Sequence, residues 1–128
     1  MIAIPLDEKQ STKISKLYGN APFFALLDIE TGSFKVVENE EIGKGPKSAP
    51  FLKTQGVDST VYYHMGEGVY NSFKDNDMEV YTADHNFYTL DEIFTLSLAN
   101  SLIKLDESNY NNLLDPGESS SCNCACND

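Results

Sequence analysis

The chain opens on Met1-Ile-Ala-Ile-Pro5, a wholly apolar run that stops at a proline and then turns acidic and polar. A strand that is apolar on both faces must be covered on both, so this run predicts a central strand with helices above and below its sheet. The cover has to come from within 128 residues, which is room for one core and one domain. With 41% apolar and 11% aromatic residues the core is feasible, because a chain of this size buries roughly two-thirds of its unfolded surface.

Strands and helices then alternate. Residues 21–30, rich in Phe, Leu and Ile, reach Thr31-Gly32 before Ser33-Phe-Lys-Val-Val-Glu38 resumes with partial alternation. A Thr-Gly connection between such runs predicts an antiparallel hairpin. Residues 39–47 carry Gly43, Gly45 and Pro46 and are expected to form an exposed loop. A short helix is expected over residues 49–55, with Pro50 in its first turn and Gly56 as its C-terminal cap. Thr60-Val-Tyr-Tyr63, the turn Met65-Gly-Glu-Gly68, a helix over residues 69–74 and the strand Met78-Glu-Val-Tyr81 form a strand, turn, helix, strand unit. Such crossovers make parallel pairs.

The clearest helix follows, since Thr89-Leu-Asp-Glu92 has capping-box spacing and Tyr88 with Ile93 can form a hydrophobic staple. Leu90, Phe94, Leu98 and Leu102 fall at four-residue intervals and predict one buried face. The element order predicts a three-layer α/β domain on a mixed five-stranded sheet over residues 1–105. Residues 106–116 are expected to dock through Tyr110, Leu113 and Leu114, and residues 117–128 to form a flexible tail.

Charge narrows the partners. Twenty acidic side chains against nine basic ones give a net charge of -11, which repels nucleic-acid phosphates and anionic lipid alike. No apolar run approaches the roughly 20 residues of a membrane helix, and the N-terminus lacks the basic and hydrophobic regions of a signal, so the expected location is the cytoplasm. All three cysteines, Cys122, Cys124 and Cys126, lie in the last seven residues, where no disulfide can staple the core.

Four motifs, Ile2-Ala-Ile-Pro5, Leu17-Tyr-Gly-Asn-Ala-Pro-Phe-Phe24, Asp28-Ile-Glu-Thr-Gly32 and Met65-Gly-Glu-Gly68, stand in an order and spacing that resembles the dinitrogenase iron-molybdenum cofactor biosynthesis family. The resemblance implies a ribonuclease H-like fold and a small non-catalytic protein that binds or carries metal clusters. It also implies a cofactor-binding set of Tyr18, Gly19, Asn20, Gly66, Glu67 and Gly68. The family's usual His-Phe-Gly motif reads Leu17-Tyr18-Gly19 here, so a phenol is taken to stand in for a candidate imidazole ligand. A neutral Tyr is a poor ligand for a thiophilic cluster. Asn20 stands where the family commonly carries Arg.

Few residues remain to carry chemistry. His64 precedes the glycine turn, beside an expected helix N-terminus where free N–H groups and the helix dipole favour an anion; the alternative is a surface histidine above a tight turn. His85, in Ala83-Asp-His-Asn86, follows the next strand, on the edge where α/β sheets gather ligands. Its alternative is a loop histidine bonded to Asp84. Met65 offers a thioether or, more simply, packing. In Cys122-Asn-Cys-Ala-Cys126 alternate residues of an extended segment share a side, so three thiolates could close on a soft ion such as Cu(I) or on one corner of an iron-sulfur or iron-molybdenum-type cluster. A closed zinc site would need a fourth ligand.

Catalysis is not expected, because nucleases with the ribonuclease H-like core that the resemblance implies use a carboxylate on the first strand to hold two metal ions, and this first strand has none. Asp7 follows it, while Asp28 and Glu30 flank the hairpin. The expected function is therefore binding and carriage of a cluster or soft metal ion between donor and acceptor proteins, by a monomer or weak homodimer. The alternative is a metal-free interaction or regulatory module with a redox-sensitive tail.

Overall fold

The computed structural model describes residues 1–84, 86–106, 108, 109 and 114. Its order is β1 (Ile2–Leu6), β2 (Phe23–Leu27), β3 (Phe34–Glu38), a 3-10 turn (Gly45–Lys47), α1 (Ser48–Thr54), β4 (Ser59–Tyr62), α2 (Glu67–Asp75), β5 (Glu79–Thr82), α3 (Leu90–Leu98) and β6 (Ile103–Lys104). The strands form one mixed sheet in the order β3-β2-β1-β4-β5-β6. β1, β4 and β5 are parallel, and β2, β3 and β6 run antiparallel to their neighbours.

The apolar opening run is the central strand, and its alternation divides the core. Ala3, with Phe24, Leu26, Tyr62 and Val80, faces a cluster capped by Leu52 of α1 and by Tyr70 and Phe73 of α2. Ile2, Ile4 and Leu6, with Ala25, Leu27 and Val61, face a second cluster completed by Ile14 and by Leu90 and Ile93 of α3. Because side chains alternate across a strand, two apolar faces need two covering layers, which is the three-layer arrangement expected.

The strand count is corrected from five to six. The apolar spacing through Leu98 and Leu102 suggested one long helical face, but α3 ends at Leu98. Asn100 takes φ 55, and Ser101 N–H donates to Leu96 O at 2.8 Å, closing the helix in a Schellman motif. Leu98 is left 57% exposed, while the chain reverses so that Ile103 and Lys104 pair with Thr82 and Tyr81. Of the docking segment, Leu114 packs against the cluster under α1 and α2. Residues 115–128, with all three cysteines, and His85 lie outside the described residues.

Candidate functional site

Because β1, β4 and β5 are parallel, the loops that follow them emerge at one edge of the sheet. These are residues 7–22, 63–66 and 83–89, and the loop after antiparallel β3, residues 39–47, joins them there since Glu38 pairs with Phe23 at the start of β2. The loop at Tyr18–Asn20, His64 and the Gly66-Glu67-Gly68 turn lie at this edge, while His85, expected beside them, lies outside the described residues.

The first loop is knitted internally. Buried Ser15 donates its hydroxyl to Asp7 Oδ1 at 2.5 Å and accepts Leu17 N–H at 2.9 Å. Its backbone N–H donates to Pro5 O at 2.8 Å. The first loop is tied to the loop at residues 83–89 by Ile14 N–H, which donates to Tyr88 O at 2.9 Å. It is tied to the loop after β3 by Asn39, a buried residue the sequence did not single out. The Asn39 amide donates to Ala21 O at 2.8 Å and Gly19 O at 3.2 Å, and its oxygen accepts Glu41 N–H at 3.0 Å.

Two glycines set how closely these loops approach. A Cβ on Gly19 would lie 2.8 Å from Gly45 Cα, and one on Gly45 would lie 2.7 Å from Val69 Cγ2 of α2. Glycine is thus required at both positions by packing alone. Gly66 and Gly68 differ: a Cβ added at either meets nothing within 4 Å. Gly66 has φ -87 and ψ 166, and Gly68 is absent from the positive-φ residues, so neither serves a turn that other residues could not make.

The structure corrects the role assigned to Tyr18. Its ring is buried in the core, edge-on to Phe24 and Phe73 at centroid distances of 5.4 and 5.7 Å. Thr60 donates its one hydroxyl proton to Ala3 O at 2.8 Å. The Tyr18 O–H therefore donates to Thr60 Oγ1 across 2.6 Å. Burial drives the phenol well above its ordinary range, against the opposing Thr60 hydrogen bond, so it stays protonated and faces the core. Leu17, its neighbour, is 45% exposed at the edge. Set against His-Phe-Gly, Leu17-Tyr18-Gly19 puts the missing imidazole at Leu17, with Tyr18 in the buried aromatic place.

The remaining candidates sit as follows. Asn20, His64 and Glu67 are exposed and Gly19 and Gly66 half-buried. The His64 imidazole lies edge-on to Tyr63 at 4.7 Å, Tyr63 lies against Phe87 at 4.8 Å, and Lys16 Nζ is 5.2 Å from the Phe87 ring. Met65 is buried and packs under α2. α2 opens on Gly66 with no side-chain cap, leaving its first N–H groups to solvent or ligand. Asp84, at the end of β5, holds φ 53 with its N–H on Thr82 Oγ1 at 2.9 Å. Among the described residues no group of three or more His, Cys, Asp or Glu side chains is placed to hold a metal, and no helix is long and apolar enough to cross a membrane. Asp28 and Glu30 lie at the opposite edge, Asp28 Oδ1 accepting Glu30 N–H at 2.9 Å.

The sequence profile described as dinitrogenase iron-molybdenum cofactor matches residues 1–98. An uncharacterized protein of Methanocaldococcus jannaschii, MJ0580, is 30% identical over 112 residues, spanning 82% of this chain and 91% of that protein. A Thermotoga protein, TM1290, described as a candidate NifB protein of the DUF35 family, superposes at TM-score 0.66 with 27% identity, over 81% of this chain and 91% of that one. The apo form of the orange protein from Desulfovibrio gigas superposes at TM-score 0.71 with 17% identity, again over 81% and 91%. At that identity the likeness concerns the fold alone.

Proposed function

The chain belongs to the dinitrogenase iron-molybdenum cofactor family, and from that premise we propose that it binds and carries a metal cluster or soft metal ion at the carboxyl edge of its parallel strands. The observation that carries this reading is Gly66 and Gly68. Neither packing nor backbone conformation calls for glycine there, and close approach of a ligand to the backbone is a further use of a residue without Cβ. They stand beside exposed His64 and at the uncapped start of α2, a place suited to an anionic cargo. The thiolates of Cys122, Cys124 and Cys126 supply the soft donors. His85 is a second imidazole for the same cargo.

Carriage without catalysis fits the first strand. In the ribonuclease H-like arrangement we assign to this sheet, β1 is where a two-metal site would need a carboxylate, and β1 is Ile-Ala-Ile-Pro-Leu. Asp7, the first acid after it, takes the Ser15 hydroxyl instead. The cargo is received from a donor protein and passed to an acceptor.

The test is a titration of protein purified without oxygen, using Cu(I) in one arm and iron with sulfide in the other, read by visible absorbance and metal analysis. The Gly66→Ala/Gly68→Ala variant should keep its fold, since the cost of Ala at an N-cap and its gain of up to about 1 kcal/mol inside a helix offset one another. It should lose cargo at least about tenfold if the backbone is approached closely. A wild-type protein that binds neither cargo, or an alanine variant that binds equally, would overturn the reading.

A further inference from the structure

We infer that β3 is a docking edge for a second copy of this chain, the two sheets joining through an antiparallel pairing centred on Val36; the inference stands apart from cargo. The first observation is which backbone groups are free. β3 ends the sheet. On its inner side Asp28 N–H donates to Ser33 O and Asn39 N–H to Pro22 O, each at 2.9 Å, and the register between them is unbroken. Bonded and non-bonded positions alternate along an antiparallel pair, so Lys35 and Val37 bond inward to β2 while Phe34, Val36 and Glu38 turn their N–H and C=O groups outward. Among the described residues no strand meets them there. The strand also carries no proline and no bulge, two of the usual guards of a sheet edge.

The second observation is self-fit. The outward positions are symmetric about Val36, so a two-fold axis perpendicular to the sheet pairs Val36 with the partner's Val36 and Phe34 with the partner's Glu38. Every outward N–H then finds a C=O. Phe34, 51% exposed, shares the α3 side with half-buried Val36, and it falls diagonal to the partner's Val36, within reach of an aromatic ring. On the other face the aliphatic stem of Lys35 lies over the partner's Val37. Charge selects this register among its neighbours. An axis at Lys35 would set two ammonium groups directly opposite one another, and an axis at Val37 would set Phe34 against Glu40, beyond the end of the strand.

The third observation is closure. The other edge of the sheet, β6, is only two residues long, too short to continue β3 into an open filament, so the pairing closes as a dimer. Five residues a side fall well below the roughly 20–30 a side of a stable interface, and two chains at -11 repel one another. The dimer is therefore transient and favoured by salt. Because the pairing is antiparallel, the carboxyl edges of the two copies point in opposite directions, and neither copy covers the other's loops.

The experiment uses the full chain with Cys122, Cys124 and Cys126 replaced by Ser. One preparation carries Phe34→Cys, a second Glu38→Cys, and a third Asp91→Cys, an exposed position on α3 that reads random collision. Oxidised glutathione accepts the two electrons as two thiols lose their protons and form a disulfide, and dimers are followed by mass spectrometry. Positions 34 and 38 of a pair have Cα atoms about 5.5 Å apart, inside the roughly 4.4–6.8 Å of a disulfide. Two copies of position 34 are four residues out of register, about 13 Å along the strands. Mixing the first two preparations should thus give the 34–38 dimer at least about tenfold faster than either gives a dimer alone, and faster than Asp91→Cys. Salt at about 0.5 M should raise its yield by screening the repulsion. Like-with-like dimers as fast as the mixed one would overturn the register. A mixed dimer no faster than Asp91→Cys, as when another segment covers the edge, would overturn the interface, and a yield that falls with salt would assign the contact to charge attraction elsewhere.

Discussion

Tyr18 shows how one side chain can look functional in sequence and be structural in the fold. Its ring fills the space between Phe24 and Phe73, and its hydroxyl ends a short relay through Thr60 to Ala3 on the central strand. Tyr18→Phe keeps the ring and removes the donor, so thermal unfolding should show a loss of about 1 kcal/mol. The pH dependence follows from the raised value of the buried phenol. An unfolded tyrosine ionises near pH 10, about three pH units above neutrality, whereas the folded one stays neutral, so its contribution is fully present below that pH and is lost as pH rises beyond it. The slope is at most about 1.4 kcal/mol per pH unit. Chemical denaturation between neutral and strongly alkaline pH should show a shallower alkaline decline in Tyr18→Phe than in the parent. Parallel declines would mean that other tyrosines set it.

The helices share a way of stopping. After α1, Gly56 has φ 87 and Val57 N–H reaches back to Leu52 O at 3.2 Å; after α2, Asp77 has φ 58 and Met78 N–H reaches Phe73 O at 2.9 Å. With Asn100 after α3, each helix ends in a left-handed residue and a Schellman bond. Glycine signals this at Gly56 and asparagine, the usual alternative, at Asn100, whereas Asp77 gives a weaker signal. Asp77 also sets a negative charge at the negative end of the α2 dipole. Asp77→Gly should therefore raise stability by about 0.5–1 kcal/mol, measured by thermal denaturation. A loss would mean that the carboxylate makes a contact worth more than the relieved strain. At the other end of a helix the spacing was decisive: Thr89 Oγ1 accepts Glu92 N–H at 3.1 Å, the Glu92 carboxylate accepts Thr89 N–H at 2.8 Å, and Tyr88 and Ile93 join the same core cluster.

For the molecule as a whole, the proposed cargo capture and the folding of the described core draw on separate residues. Among the described residues the two core clusters are built from the sheet, the helices and their loops, with no cysteine in either. Replacing Cys122, Cys124 and Cys126 with Ser should accordingly leave the melting temperature unchanged while lowering bound metal at least about tenfold. Metal analysis beside a thermal melt reads both, and equal metal content in the triple variant would remove the tail from the site.

The sequence by itself determined the three-layer plan, because Met1-Ile-Ala-Ile-Pro5 could be satisfied only by cover on both faces, and the Thr31-Gly32 turn and the Thr89 capping box fixed a hairpin and a helix through bonds between near neighbours. Tertiary structure alone decided the rest. That Tyr18 faced inward and Leu17 outward depended on the Tyr18 ring meeting Phe73, a contact across more than 50 positions. The sixth strand depended on Thr82 and Tyr81 offering a free edge to Ile103 and Lys104, which outweighed the helical spacing of Leu98 and Leu102. The distinction between Gly45, wedged against Val69, and Gly66, in open space, exists only once the loops have met. Local hydrogen bonds and periodicity can be read along a chain, whereas burial and close approach are properties of residues that the fold has brought together.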